Sequence, residues 1–189
     1  MKLEKKLEEQ IKVVSKKFLE IPRDKEIEII SHFDTDGITS AAIMIKTLKK
    51  LDQKFSIKII KSLEKEFIQK IPIDKVILFL DLASGSLNHI KDSNLENIFI
   101  IDHHEITQEI PEKINIVNPE LHEKQKMSCS CLTYLFCKEI VSETKELAKL
   151  AILGMIGDQL EKEIDKLNHS ILEDGEIKRK RGLLMYPST

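Results

Sequence analysis

An α/β fold, with a mostly parallel five-stranded sheet flanked by helices, is predicted by two patterns in this 189-residue chain. Short apolar runs alternate with amphipathic helical stretches, the order that builds strand–helix–strand units. Two of the runs, Val76–Leu80 (VILFL) and Ile98–Ile101 (IFII), are apolar at every position, as strands covered on both faces are. The length suits one ordinary domain with a core, or two small ones. In order along the chain, Leu3, Leu7, Ile11, Val14 and Phe18 step by helical spacing. They predict a helix over 2–20, which Pro22 closes. Glu26–Phe33 (EIEIISHF) predicts the first strand, and Ile38–Leu51 a helix entered through Gly37 and Thr39/Ser40. Phe55–Ile60 gives a second strand, and Lys61–Lys70 a short helix closed by Ile71-Pro72. After the two apolar strands, Ile114–Val117 supplies a fifth. Ser128–Asp158 turns helical in two segments broken near Ser142. Residues 161–172 predict a linker helix, and Gly175–Gly182 (GEIKRKRG) a basic turn.

Composition narrows the classes. With 41% hydrophobic and 33% charged residues, the chain is globular rather than disordered. No apolar run approaches the roughly 20 residues of a membrane span, so no membrane partner is expected. The start, MKLEKKLEEQ, is too charged for a secretory signal. A formal charge of −2 excludes a general basic coat for nucleic acid, though not a local basic groove. Cys129, Cys131 and Cys137, an odd number in close succession, fit a reducing, cytoplasmic setting. Their spacing is wrong for a zinc knuckle, and they are expected as small apolar core residues. Lys178, Arg179, Lys180 and Arg181 are expected as a solvated tail or as a contact to a nucleic-acid backbone.

Three predicted strands end in acids. The first runs into His32-Phe33-Asp34-Thr35-Asp36-Gly37, the next into Asp81, and the third into Asp102-His103-His104. Sites in open α/β sheets form at the carboxyl ends of strands. On an extended backbone His32, Asp34 and Asp36 would project to one side. Any one such aspartate could be only a helix N-cap. Three strand ends together, two with histidines, point instead to a divalent-metal site, since clustered carboxylates repel unless cations neutralise them. Ala148–Asp158 (AKLAILGMIGD) adds an acid at a helix C-terminus, the unfavourable end of the dipole.

These motifs, with Gly154-Met155-Ile156-Gly157-Asp158 as the fourth, resemble in order those of the DHH phosphoesterase superfamily over roughly residues 26–160. Within it the chain looks most like archaeal RecJ-like proteins, from the form HFDTDGITSAAI and the ending KRKRGLLMYPST. The resemblance implies a two-metal hydrolase of phosphate esters using Mn²⁺ or Mg²⁺. Carried over, it makes Asp34, Asp36, Asp81, His103 and Asp158 metal ligands, with Asp81 bridging and His32 near the ions. Asp102 and His104 take the catalytic roles: Asp102 orients a neighbouring histidine, and His104, its ring turned away from that of His103, faces the scissile phosphate. Residues 1–160 would be the catalytic domain and 161–189 a linker helix and basic tail, with no C-terminal substrate-binding domain. His89, His122 and His169 lie outside the motifs.

The leading expectation is a metal-dependent phosphodiesterase resembling RecJ-like single-strand exonucleases, acting on single-stranded DNA or RNA or on oligonucleotides. Two alternatives stand beside it. One is a GINS-associated replisome subunit with little activity by itself, completed by a separate chain carrying the second domain. The other is a small-molecule phosphoesterase; pyrophosphatases of the superfamily rank lower, since they tend to have a longer spacing than His32-Phe33-Asp34.

Overall fold

The computed structural model of the chain describes residues 4–122, 125–162, 164–180 and 182–184. Leu3 of the first stripe, Arg181 of the basic run and the end from residue 185 lie outside them. The centre is a parallel sheet of β1 (Ile27–His32), β2 (Phe55–Ile60), β3 (Val76–Leu80), β4 (Ile98–Ile101) and β5 (Ile114–Val117). Its strand order is β2-β1-β3-β4-β5. Ile27 stands beside both Phe55 and Val76, so β1 carries a neighbour on each side. From β1 the chain steps outward to β2, then crosses back over β1 to β3. The order therefore reverses between β1 and β3, and their carboxyl ends flank a crevice.

Strand parity divides the core. Ile29, Leu78, Leu80, Phe99 and Ile101 face one layer: α1 (Glu4–Leu19), α2 (Thr35–Lys50), α5 (Cys129–Ile140) and α6 (Ala148–Gly157). Ile30, Ile77, Phe79, Ile98 and Ile100 face a thinner layer of α3 (Lys65–Ile68) and α4 (Leu87–Lys91). Both sides of β3 and β4 are thus dry, which is why VILFL and IFII carry no polar residue. Cys129, Cys131 and Cys137 are buried free thiols in the main core. No helix among the described residues is long and apolar enough to cross a membrane.

Several boundaries differ from the sequence expectation. Helix α2 begins at Thr35 rather than Ile38, because the Asp34 side chain accepts the Gly37 amide and caps it. Gly37 is therefore not the turn but part of the helix. It is glycine because a Cβ there would collide with the His32 carbonyl. The helix expected over 61–70 shrinks to the four residues of α3. Leu63 is drawn into the smaller core and its carbonyl accepts the Ser86 hydroxyl, which keeps the chain before α3 out of the helix. The helix expected over 161–172 is α7 (Lys166–Asp174), whose Leu167, Ile171 and Leu172 enter the main core. Residues of the expected basic turn form a short antiparallel pair, β6 (Lys178–Lys180) and β7 (Gly182–Leu184).

Candidate metal centre

The crevice between β1 and β3 holds the candidate residues. His32 ends β1; Asp34 caps α2, and Asp36 lies in its first turn. Asp81 follows β3, Asp102 to His104 follow β4, and Asp158 is the C-cap of α6. Because α2 starts at Asp34, the two motif acids do not project side by side from an extended chain. The helical turn between them sends each to a different cluster. One comprises His32, Asp34 and Asp81, and another Asp36, His103 and Asp158; a third, Asp81, His103 and His104, overlaps both.

Within the first cluster, His32 Nδ1 stands 2.8 Å from Asp34 Oδ2 and 3.4 Å from Asp81 Oδ2. Within the second, His103 Nε2 stands 3.1 Å from Asp158 Oδ2 and 3.9 Å from Asp36 Oδ2. Asp81 Oδ1, 3.3 Å from His103 Nε2, joins the clusters. Ligands about 2.1 Å from an octahedral divalent ion stand about 3 Å apart, close to these separations. Both Asp81 oxygens, Asp158 Oδ2 and His32 Nδ1 are buried yet make no properly directed hydrogen bond. Buried carboxylate and imidazole atoms held together by charge but without directed hydrogen bonds fit a divalent cation of the Mn²⁺ or Mg²⁺ class.

The electrostatics agree. Burial, together with the charge of Asp36, pushes Asp81 up to about 8, although His103 opposes this. Burial also raises Asp36, aided by Asp158. Burial works against protonation of His103, but Asp158, Asp81 and Asp36 outweigh it and drive the imidazole up to about 11. A protonated His103 thus supplies the positive charge the acids require. It also answers the unfavourable position of Asp158 at a helix C-terminus.

Residues behind the cluster hold it in place. Asp36 is fully buried and accepts the Cys129 amide (2.6 Å) and the Ser130 amide (3.0 Å), so its carboxylate also closes the N-terminus of α5. Asp102, equally buried, accepts the Ser84 amide on Oδ2 at 2.9 Å. Its Oδ1 accepts the His103 amide (2.8 Å) and pairs with His104 Nδ1 (2.7 Å). Burial would raise Asp102, but the His104 and Ser84 bonds hold it below its ordinary value. His104 in turn is raised, first by the bond to Asp102. That bond draws the two imidazoles together, with ring centroids 4.6 Å apart and planes tilted by 51°, so the His104 ring does not turn away from that of His103. The His104 side chain remains 52% exposed, with Nε2 available. To bring the Ser84 amide to Asp102, the loop takes left-handed backbone at Asp81 (φ 60) and Ala83 (φ 95), a strain tolerated where geometry matters.

An open cleft of about 280 Å³ lies over this arrangement, lined by His32, Lys61, Asp81, Asp102, His104 and Glu105 among others. Lys61 was not singled out from the sequence. Its signal was available, since it follows β2, a fourth strand ending at the same edge. Ser84, Cys129 and Ser130 act through backbone amides, which side-chain patterns do not reveal.

Known proteins share this fold. The signature described as DHH family, N-terminal domain, matches residues 26–155. An uncharacterised protein of Methanocaldococcus jannaschii is 29% identical over 181 residues, covering 90% of this chain and 41% of its own length. The chain thus spans about two fifths of that relative. The crystal structure of an exonuclease RecJ bound to manganese superposes with a TM-score of 0.74 at 19% identity, over 88% of this chain and 47% of that one. CDC45 from Entamoeba histolytica superposes at 0.61 and 14% identity, over 92% of this chain and 38% of that one. At these identities the structural likeness concerns the fold.

Proposed function

The chain belongs to the DHH family, and from that premise we propose that it is a phosphodiesterase requiring two divalent ions, acting on single-stranded nucleic acid or oligonucleotides. The carrying observation is the pair of clusters joined by Asp81, whose buried oxygens lack directed hydrogen bonds. In this reading His32, Asp34 and Asp81 would hold one Mn²⁺ or Mg²⁺, and Asp36, His103 and Asp158 the other, with Asp81 available to both. Bound ions supply Lewis acidity, making water more acidic and offsetting charge on phosphate oxygens.

The chain's own groups complete the chemistry. Asp102 fixes His104 through Nδ1, leaving Nε2–H to donate toward a phosphate or departing oxygen in the cleft. The bond to Asp102 raises His104, which favours its protonated form. Lys61 adds a cation to the cleft wall for the phosphate. Asp36 keeps its position because α5 amides grip it. The replisome-subunit reading is compatible with the CDC45 likeness. The gathering of Asp34, Asp36, Asp81 and Asp158 around two histidines favours catalysis, since a purely structural role gives no reason to bury so many carboxylates together.

Incubating the chain with end-labelled single strands tests the proposal. Cleavage that requires Mn²⁺ and is lost in Asp81→Asn is expected. Cleavage by Asp81→Asn at the wild-type rate, or none by the wild type, overturns it.

A further inference from the structure

Phe33 is the one phenylalanine or tyrosine ranked as exposed among the described residues, at 49%. The other described aromatic rings of this kind are buried or partly buried in the two cores. Its place is specific. It lies between His32 and Asp34, in the turn from β1 into α2. The His32 ring meets it at 4.9 Å between centroids with planes at 83°, an edge-to-face contact. His32 is itself held beside Asp34 and Asp81. The Phe33 ring is therefore keyed to the metal cluster through a single intervening imidazole. An edge-to-face contact occupies at most one ring face, and the residue is half exposed.

The neighbouring cleft is lined by His32, Lys61 and His104, which suit a phosphate, and by the acids Asp81, Asp102 and Glu105, of which Asp81 stands in the candidate metal cluster. Phe33 offers something different beside it: a flat apolar surface held in register. A ligand that meets both must carry a planar ring close to a phosphate, and that is the chemistry of a nucleotide. Bases of every kind stack on aromatic rings, so such a platform favours base-bearing strands without reading their sequence.

We propose that Phe33 is a nucleobase-stacking platform that sets the chain's preference for base-bearing phosphodiesters over base-free phosphates. This deepens the phosphodiesterase reading and rests on it for the position of the phosphate. The test uses a single-stranded trinucleotide containing 2-aminopurine, whose fluorescence falls on stacking, with Ca²⁺ in place of Mn²⁺ to measure binding alone. The wild type and Phe33→Tyr quench the fluorescence. Phe33→Ala and Phe33→Leu do not, and their Kd rises about tenfold, within the range for loss of one stacked base. Quenching by Phe33→Leu equal to wild type, or unchanged affinity in Phe33→Ala, overturns the platform. Separate Mn²⁺ assays distinguish the two claims. Phe33-dependent quenching without hydrolysis supports the platform and counts against the phosphodiesterase. Hydrolysis without Phe33-dependent quenching counts against the platform alone.

Discussion

His103 and Asp81 share one contact, 3.3 Å between Nε2 and Oδ1. Without a cation, the protein answers four clustered acids (Asp34, Asp36, Asp81 and Asp158) by binding protons. It pushes His103 up to about 11 and Asp81 up to about 8. A metal ion takes neutral imidazole and ionised carboxylate, so those protons must leave as it binds. The sign follows: raising the pH lowers the competition and strengthens metal binding. Between pH 6 and 8 Mn²⁺ affinity should climb about tenfold per pH unit for each proton released. Titration calorimetry in buffers of differing ionisation enthalpy measures that release, and pH-independent affinity with no proton release contradicts it. At this scale the candidate residues were largely visible in the sequence. Their number at strand ends was the signal, not any single one. Asp34 shows why single positions mislead, since it caps a helix and stands in the cluster at once. The ring arrangement of His103 and His104 was not visible, because it follows from where one Asp102 oxygen finds its donors.

Elements meet at the site more closely than ordinary helices do. A Cβ on Gly154 of α6 would collide with Ser130 Oγ and Asp36 Oδ1, and with Thr39 Oγ1 of α2 at 2.6 Å. A Cβ on Gly157 would meet the Thr35 side chain at 2.7 Å. These glycines let α6 lie against α2 and α5 so that Asp158 reaches His103. Gly154→Ala should therefore cost about 1–3 kcal/mol of stability by overpacking and also weaken Mn²⁺ binding, because Asp36 is among the atoms displaced. Chemical denaturation and metal titration check the two effects, and Mn²⁺ affinity equal to wild type would show that Asp36 is not held by this contact. Sequence patterning recovered every strand of the main sheet; β3 and β4, covered on both faces, announce themselves as apolar runs, and β2, largely exposed, does not. Patterning misplaced the ends of α2 and α3. There the boundary is decided by one side-chain hydrogen bond or one buried leucine rather than by a repeating pattern.

For the whole molecule, the sheet order matters most. Strand order reverses between β1 and β3, and this opening is where the two clusters meet. The order itself was not readable from the sequence, because alternating strands and helices are compatible with several windings. A centre that gathers acids from four parts of the chain should also couple metal to stability. At Mn²⁺ concentrations near 100 times Kd, a gain of about 2.7 kcal/mol should raise Tm by about 5–10 °C. Asp81→Asn should lose that rise yet melt no lower than wild type without metal, since burial disfavours the Asp81 charge. A metal-induced rise that survives in Asp81→Asn would place the ion elsewhere.

The proposed function requires a pair of ions that share Asp81 in the β1–β3 crevice. Anomalous diffraction at the manganese edge, from crystals grown with Mn²⁺, tests it most directly. Two peaks are expected, one against His32, Asp34 and Asp81 and one against Asp36, His103 and Asp158, with Asp81 contacting both. A single peak, or none among these residues, would contradict it.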